Sequence, residues 1–147
     1  MVGEPAVEAE RPGSIVVVDA SVIVDALTMP AETGLRAELA QCRLHAPALL
    51  DYEVLSAVRG LARGGHIDDV RAEEVLADYA DLPIQKATAD AEQRGRIWRL
   101  RHNLTPYDAA YVALAARLDR PLWTRDARLA DGAGSAARVR LILPAGG

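Results

Sequence analysis

Apolar and polar positions along this chain alternate between two rhythms. Ile15-Val-Val-Val18 is an unbroken β-branched run, the pattern of a strand buried on both faces. Residues 21–28 and 33–41 then read as helices, the second weakened by Gly34. Arg43 to Ala46 reads as a short strand stopped by Pro47. Leu50, Val54, Ala57, Val58 and Leu61 recur at helical spacing, so 49–63 is expected to be a helix with one buried face, ended by Gly64-Gly65. Val70, Val75, Leu76 and Tyr79 predict a helix over 68–80, and Leu82 to Ala87 a strand. Two helices follow, 89–102 and 106–119. After them come a strand from Pro121 to Thr124, a turn of helix opened by Asp126, and a last strand from Val139 to Leu143. Trp98 and Trp123 are expected in the core. Strands alternating with helices imply parallel pairing, hence an α/β fold: a three-layer α/β/α sandwich around a parallel central sheet.

No linker and no internal repeat interrupts this alternation. At 147 residues the chain suits one domain, expected over 15–143. Residues 1–14, rich in acids and Pro, read as a disordered lead, and 144–147 as a frayed end. The lead has no apolar segment of the kind a signal peptide needs, and no run approaches the roughly 18 apolar residues of a membrane span. The expectation is a cytoplasmic protein with no membrane partner. Half the residues are apolar and 26% charged, which excludes wholesale disorder. With Phe absent, the core must be built of aliphatic residues. The single cysteine, Cys42, excludes an internal disulfide framework and any site needing two thiolates. The net charge of −4 lends nucleic-acid binding no long-range support.

In α/β sheets, ligands bind beyond the carboxyl ends of the strands. Two acids fall there: Asp19 directly follows the first strand, and Asp126 lies two residues after Thr124. No glycine-rich loop follows either, which disfavours nucleotide cradles. Both acids also read as helix N-caps, with Ser21 and Thr124 as caps or hydrogen-bond donors beside them. Glu53, near the start of helix 49–63, suits the positive end of the helix dipole. Asp108, in Thr105-Pro-Tyr-Asp108, reads as the third member of a capping box. Yet the helix it opens is apolar almost all round, so its mouth should face a cleft or another buried end. Asp25 reads as structural.

Taken together, four segments are similar to the PIN-domain nucleases, and most to the VapC-type toxins of bacterial toxin–antitoxin pairs. They are VVVDAS (16–21), PALLDYEV (47–54), TPYDAAY (105–111) followed by VALA, and TRD (124–126), in the family's order and spread over nearly the whole expected domain. The resemblance implies an acidic catalytic and metal-holding site at Asp19, Glu53, Asp108 and Asp126, with Ser21 and Thr124 as supporting hydroxyls. Ala57 stands where the family usually has a small polar residue, one helical turn after the Glu. Two carboxylates about 4 Å apart repel by roughly 4 kcal/mol at an effective dielectric near 20, so convergent acids call for a cation. Mg²⁺, or Mn²⁺ in its place, suits such oxygen ligands. The resemblance further implies metal-dependent hydrolysis of RNA phosphodiester bonds, a VapB-type antitoxin and a homodimer. On the residues alone, a non-catalytic RNA- or protein-binding module, a DNA nuclease or a phosphatase remains open.

The basic residues sort by helical face. Arg96 and Arg99 share a face with Glu92 and read as solvated surface. Arg94 and Arg101 fall among Ala91, Ile97 and Trp98, where each calls for a partner, either a buried acid or a phosphate. Arg59 and Arg63 lie on the polar face of helix 49–63. All four are RNA-binding candidates as backbone contacts rather than base readers.

Overall fold

A computed structural model describes residues 11–145. The expectations for residues 1–10 and for 146–147 lie outside the described residues. The elements are β1 (Ile15–Val18), α1 (Ala20–Thr28), α2 (Thr33–Ala40), β2 (Arg43–Pro47), α3 (Leu50–Arg63), α4 (Asp69–Asp81), β3 (Ile84–Ala87), α5 (Ala91–Arg99), α6 (Pro106–Leu118), β4 (Leu122–Thr124), α7 (Ala127–Ala133) and β5 (Val139–Leu141). The five strands form one parallel sheet in the order β3-β2-β1-β4-β5. The chain builds outward from β1 to β3, then crosses to the other side of β1 for β4 and β5. Right-handed crossovers place the helices of the two halves on opposite faces, which gives the three layers. α1, α3 and α4 pack on one another, as do α5 and α6, and α6 lies across β1, β2 and β4.

β1 is the middle strand, and Val16, Val17 and Val18 are fully buried. Each of these valines contributes about 1.5–3 kcal/mol by leaving water. Its register is Val17 opposite His45 of β2 and Leu122 of β4. The pairing with β4 continues to Val18 opposite Trp123, and the carboxyl ends of β1 and β4 form the topological switch point where such sheets hold ligands. No helix among the described residues is long and apolar enough to cross a membrane.

Three local readings need correction. Pro47 does not stop β2; it is the strand's last residue, opposite Ala87 of β3. β1 has ended by then, so the missing Pro N–H leaves no ladder bond unmade on that side. Trp98 is 65% exposed, whereas Trp123 is buried. On α5, Gln93, Ile97 and Leu100 define the stripe that turns inward, and Trp98 falls one position off it. Val70 is likewise exposed, because Val75 and Tyr79 set the buried face of α4.

The two tryptophans therefore predict opposite outcomes. Trp123→Ala should lower the unfolding free energy by about 3–5 kcal/mol, as for large core truncations. Trp98→Ala should stay within about 0.5 kcal/mol of wild type, as for surface positions. Urea denaturation of both variants checks the assignment. A loss of core size at Trp98 would overturn the placement of α5.

Candidate active site

β1 ends where its last buried valine meets Asp19. The Asp19 N–H donates to the carbonyl of Trp123 on β4 (3.3 Å), extending the ladder by one bond. Its backbone is extended and its carboxylate caps α1, accepting from the Val22 N–H at 3.3 Å. The Ser21 hydroxyl donates to the same oxygen at 2.6 Å, and the Thr124 hydroxyl donates to the other. Both hydroxyls also accept: Ser21 from the Arg125 N–H (3.1 Å), Thr124 from the Asp126 N–H (3.0 Å). Ser21 and Thr124 thus each hydrogen-bond Asp19, as the sequence reading expected of hydroxyls beside it. Asp19 is 6% exposed.

Asp126, half-buried, caps α7 by accepting from the N–H groups of Arg128 (2.9 Å) and Leu129 (3.4 Å). Asp108 opens α6, and its own N–H is held by the Thr105 hydroxyl at 3.2 Å. Glu53 sits in the first turn of α3 and accepts from the Tyr111 hydroxyl at 2.5 Å. A neighbouring helix and a strand brace the start of α3: the Tyr79 hydroxyl of α4 (2.7 Å) and the Lys86 ammonium of β3 (2.5 Å) both reach Asp51, two residues before Glu53.

The four acids share one electrostatic field. Burial lifts the Asp19 carboxyl above its ordinary range; donation from Ser21, Thr124 and the Val22 N–H works against this, and the charge of Asp126 adds to it. Burial also lifts Glu53, opposed by Tyr111 and reinforced by Asp108 and Asp19. Asp108 is raised by burial and then by Asp126, with Thr105 and Arg128 pulling the other way. Tyr111 is held protonated by its burial and by Glu53, so it remains a donor. Carboxylates that follow β1 and β4 and that open α3 and α6 thus share the carboxyl edge of the sheet, and Asp19, Glu53 and Asp108 are each raised in part by a neighbouring acid.

The donor set is all carboxylate oxygen, with no His or Cys, which suits a hard cation rather than zinc. Among the described residues no three such side chains close into a ready-made cage. A Mg²⁺-sized ion does not need one: it keeps several waters and takes one or two carboxylates beside phosphate oxygens. The residues fit such an ion.

Sequence reasoning missed Tyr111 and Arg125. Tyr111 had a signal, since it lies three residues after Asp108 and so on the same side of α6. Arg125 lies between Thr124 and Asp126, and its guanidinium, 9% exposed, pairs with Glu32 (2.8 Å) and Asp25 (3.4 Å). This agrees with the structural reading of Asp25. The basic candidates are all exposed. Arg94 donates to the Ala89 carbonyl (3.0 Å), and Arg101 stacks over the Trp98 ring at 4.5 Å. Neither meets a buried acid, so that alternative falls. Gln93 reaches the Ala113 carbonyl and Asp90 pairs with Arg117, so α5 runs against α6. Arg101 therefore lies at the Asp108 end of the pair, with Arg94 about 10 Å back along the helix. Arg59 and Arg63 lie further along α3 from Glu53.

Known proteins share this chain's sequence pattern and fold. A PIN domain family model matches residues 16–134. Ribonuclease VapC1 of Mycobacterium tuberculosis is 38% identical over 128 residues, 86% of this chain and 96% of that protein. Ribonuclease VapC12 of the same organism is 36% identical over 129 residues, covering 87% and 99%. Among solved structures, VapBC2 from Rickettsia felis, bound to a DNA fragment from its promoter, aligns with a TM-score of 0.62 over 86% of this chain and 97% of that one, at 11% identity.

The raised acids fix the sign of a pH effect. Each destabilises the fold in full above its raised folded pKa, and the penalty fades as pH falls toward the ordinary carboxylate value. Asp51, held low by Lys86 and Tyr79, and Glu32, held low by the Ala145 N–H and Arg125, act oppositely. Their stabilisation is lost as pH drops through their depressed values. In chelator, melting temperature should therefore be level well above the raised folded pKa values, rise as pH falls through them toward the ordinary carboxylate value, and fall again as pH drops through the depressed values of Asp51 and Glu32. Asp19→Asn should melt no lower than wild type at pH 7.5 and flatten the upper limb. Equal slopes in the two proteins would show that Asp19 carries no electrostatic burden.

Proposed function

This chain belongs to the PIN-domain family, among the VapC ribonuclease toxins, and we propose that it cuts RNA phosphodiester bonds at Asp19, Glu53, Asp108 and Asp126 in a divalent-metal-dependent reaction. The observation that carries the reading is the convergence of four mutually repelling, partly buried carboxylates at the switch point between β1 and β4, with no Lys or Arg ammonium or guanidinium ion-paired to Asp19, Glu53 or Asp108 among the described residues. Such an arrangement opposes folding unless a cation joins it.

Asp19 and Asp108 are the residues to hold Mg²⁺ or Mn²⁺ directly, with Asp126 and Glu53 completing its surroundings directly or through water. The ion, when bound, polarises the phosphate and neutralises charge developing on the oxygens of an in-line displacement. The chain's own part is arrangement. Ser21 and Thr124 fix both oxygens of Asp19, and Thr105 fixes the start of α6 and with it Asp108. Glu53, its pKa raised, is the group suited to orient an attacking water and take its proton. Arg101, at the same end as Asp108, is the nearest of the basic candidates for an RNA phosphate.

The family reading extends to partners: a VapB-type antitoxin that blocks the site, a second copy of this chain, and a cytoplasmic setting. Support comes from an apolar surface by the sheet's carboxyl edge. Tyr52, Trp98 and Tyr107 are 64–76% exposed, and a groove of about 370 Å³ runs along Leu49, Ile97 and Pro106.

Purified protein should cleave labelled RNA with Mg²⁺ or Mn²⁺ and stop with chelator. Asp19→Asn and Asp108→Asn should each lose cleavage by at least about 100-fold, since an amide lacks the charge that holds the ion. Full cleavage by either folded variant rejects the site. Preference for DNA or a phosphomonoester rejects the substrate.

RNA binding measured with Asp19→Asn in 50–200 mM salt tests the arginines. Arg101→Ala should weaken it and reduce the log–log salt slope by about 0.7, the value for one single-strand phosphate contact. Arg94→Ala should do less, being farther from Asp108. An unchanged slope for Arg101→Ala removes it from the RNA path.

A further inference from the structure

Glu53 reaches the acids from a different layer than Asp19, on a flexible side chain, and nothing on its own helix holds it. One turn back is Leu49 and one turn on is Ala57; neither side chain offers a hydrogen-bonding group. Its side-chain hydrogen bond comes from across the cleft, from the Tyr111 hydroxyl on α6 at 2.5 Å. Tyr111 is 1% exposed, and α6 is packed over β1, β2 and β4, so the ring has little freedom to follow a moving partner. Tyr111 also lies three residues after Asp108, on the same side of α6. One buried ring thus links the positions of two acids that come from separate elements.

We propose that Tyr111 is the positioning residue for Glu53: its hydroxyl ties down one carboxylate oxygen and so sets where the other stands relative to Asp19 and Asp108. It compensates for Ala57, which gives Glu53 no partner within α3. The inference rests on the reading of Glu53 as part of a metal-holding, RNA-cutting site. Groups that orient metal ligands in this way typically change metal affinity or activity by 10–100-fold when removed.

The test is a double-mutant cycle of wild type, Tyr111→Phe, Glu53→Ala and the double variant, each with intact fold by circular dichroism. Three quantities are read: steady-state RNA cleavage at saturating Mg²⁺, Mn²⁺ binding to the RNA-free protein by calorimetry, and melting in chelator. Tyr111→Phe should lower kcat by about 10–100-fold with KM within about twofold, and weaken Mn²⁺ binding. In the Glu53→Ala background the same change should add nothing to either loss. Wild-type kcat and Mn²⁺ affinity in Tyr111→Phe overturn the proposal. So does an equal loss in the Glu53→Ala background, which would place the effect in packing. If Glu53→Ala itself cleaves and binds Mn²⁺ like wild type, the reading of the site falls, and the proposal with it. Should Tyr111→Phe fail to fold, Glu53→Asp, which draws the carboxylate one methylene away from the hydroxyl, must reproduce the losses in kcat and Mn²⁺ affinity; wild-type values there overturn it.

Discussion

The carboxylate of Asp19 is buried, and a buried carboxylate must be either neutral or surrounded by donors. Three donors are supplied, from α1, from Ser21 and from Thr124, and each fixes another part of the chain. Capping Val22 sets the direction in which α1 leaves β1. Ser21 and Thr124 each pass the constraint on, because their oxygens accept the N–H groups of Arg125 and Asp126. The segment after β4 is thereby held against the segment after β1, although 105 residues separate Thr124 from Asp19. Asp126 then starts α7, and Arg125 between them is drawn inward onto Glu32 and Asp25. The carboxyl edge of the sheet between β1 and β4 is closed by this one carboxylate and its donors.

How much of this was legible follows from how local each cause is. β1 was readable because a run of β-branched residues has few other homes, and α3 because its apolar residues repeat at the helical period. Asp19 and Asp126 were readable as strand-end acids, since position after a strand is a sequence property. Their shared hydroxyls were half readable: Ser21 lies beside Asp19 in sequence, whereas Thr124 meets it only through the β1–β4 pairing. Pro47, Trp98 and Val70 failed for a common reason. Each depends on where a neighbouring element ends or which side it covers, and a periodic pattern does not carry that information. Tyr111 is the same case in reverse. Nothing near it in sequence calls for a hydroxyl; the demand comes from Glu53, 58 residues away.

The capping reading of Asp19 and Asp126 holds in the structure, and it is compatible with the catalytic role proposed for them. Asp19 and Asp126 cap helices with one carboxylate oxygen each. A cap fixes the side chain at the start of a helix, where the N–H groups already favour negative charge. The helix dipoles of α1 and α7 thus offset part of the repulsion between acids that their clustering creates. Structural and chemical duties separate only in what a substitution does. Asn preserves the cap and removes the charge, while Ala removes both.

An acidic chain facing an RNA backbone meets long-range repulsion, and this protein's net charge is −4. Some of its cations are committed: Arg125 is buried among acids, Arg140 pairs with Glu38 and stacks on Trp123, and Lys86 pairs with Asp51. Among the described residues, Arg94, Arg99, Arg101, Arg59 and Arg63, on α5, the turn that follows it, and α3, make no ion pair with an acid. At physiological salt the Debye length is about 8 Å, so a phosphate near Arg101 feels that guanidinium more than the distant acids. A polyanion can therefore be held only at short range, where a local cation outweighs the remainder of the charge. The acid cluster itself repels a phosphate until a divalent ion reverses its sign. Under the proposed function, the ion would favour the approach of RNA to the carboxyl edge of the sheet as well as its cleavage.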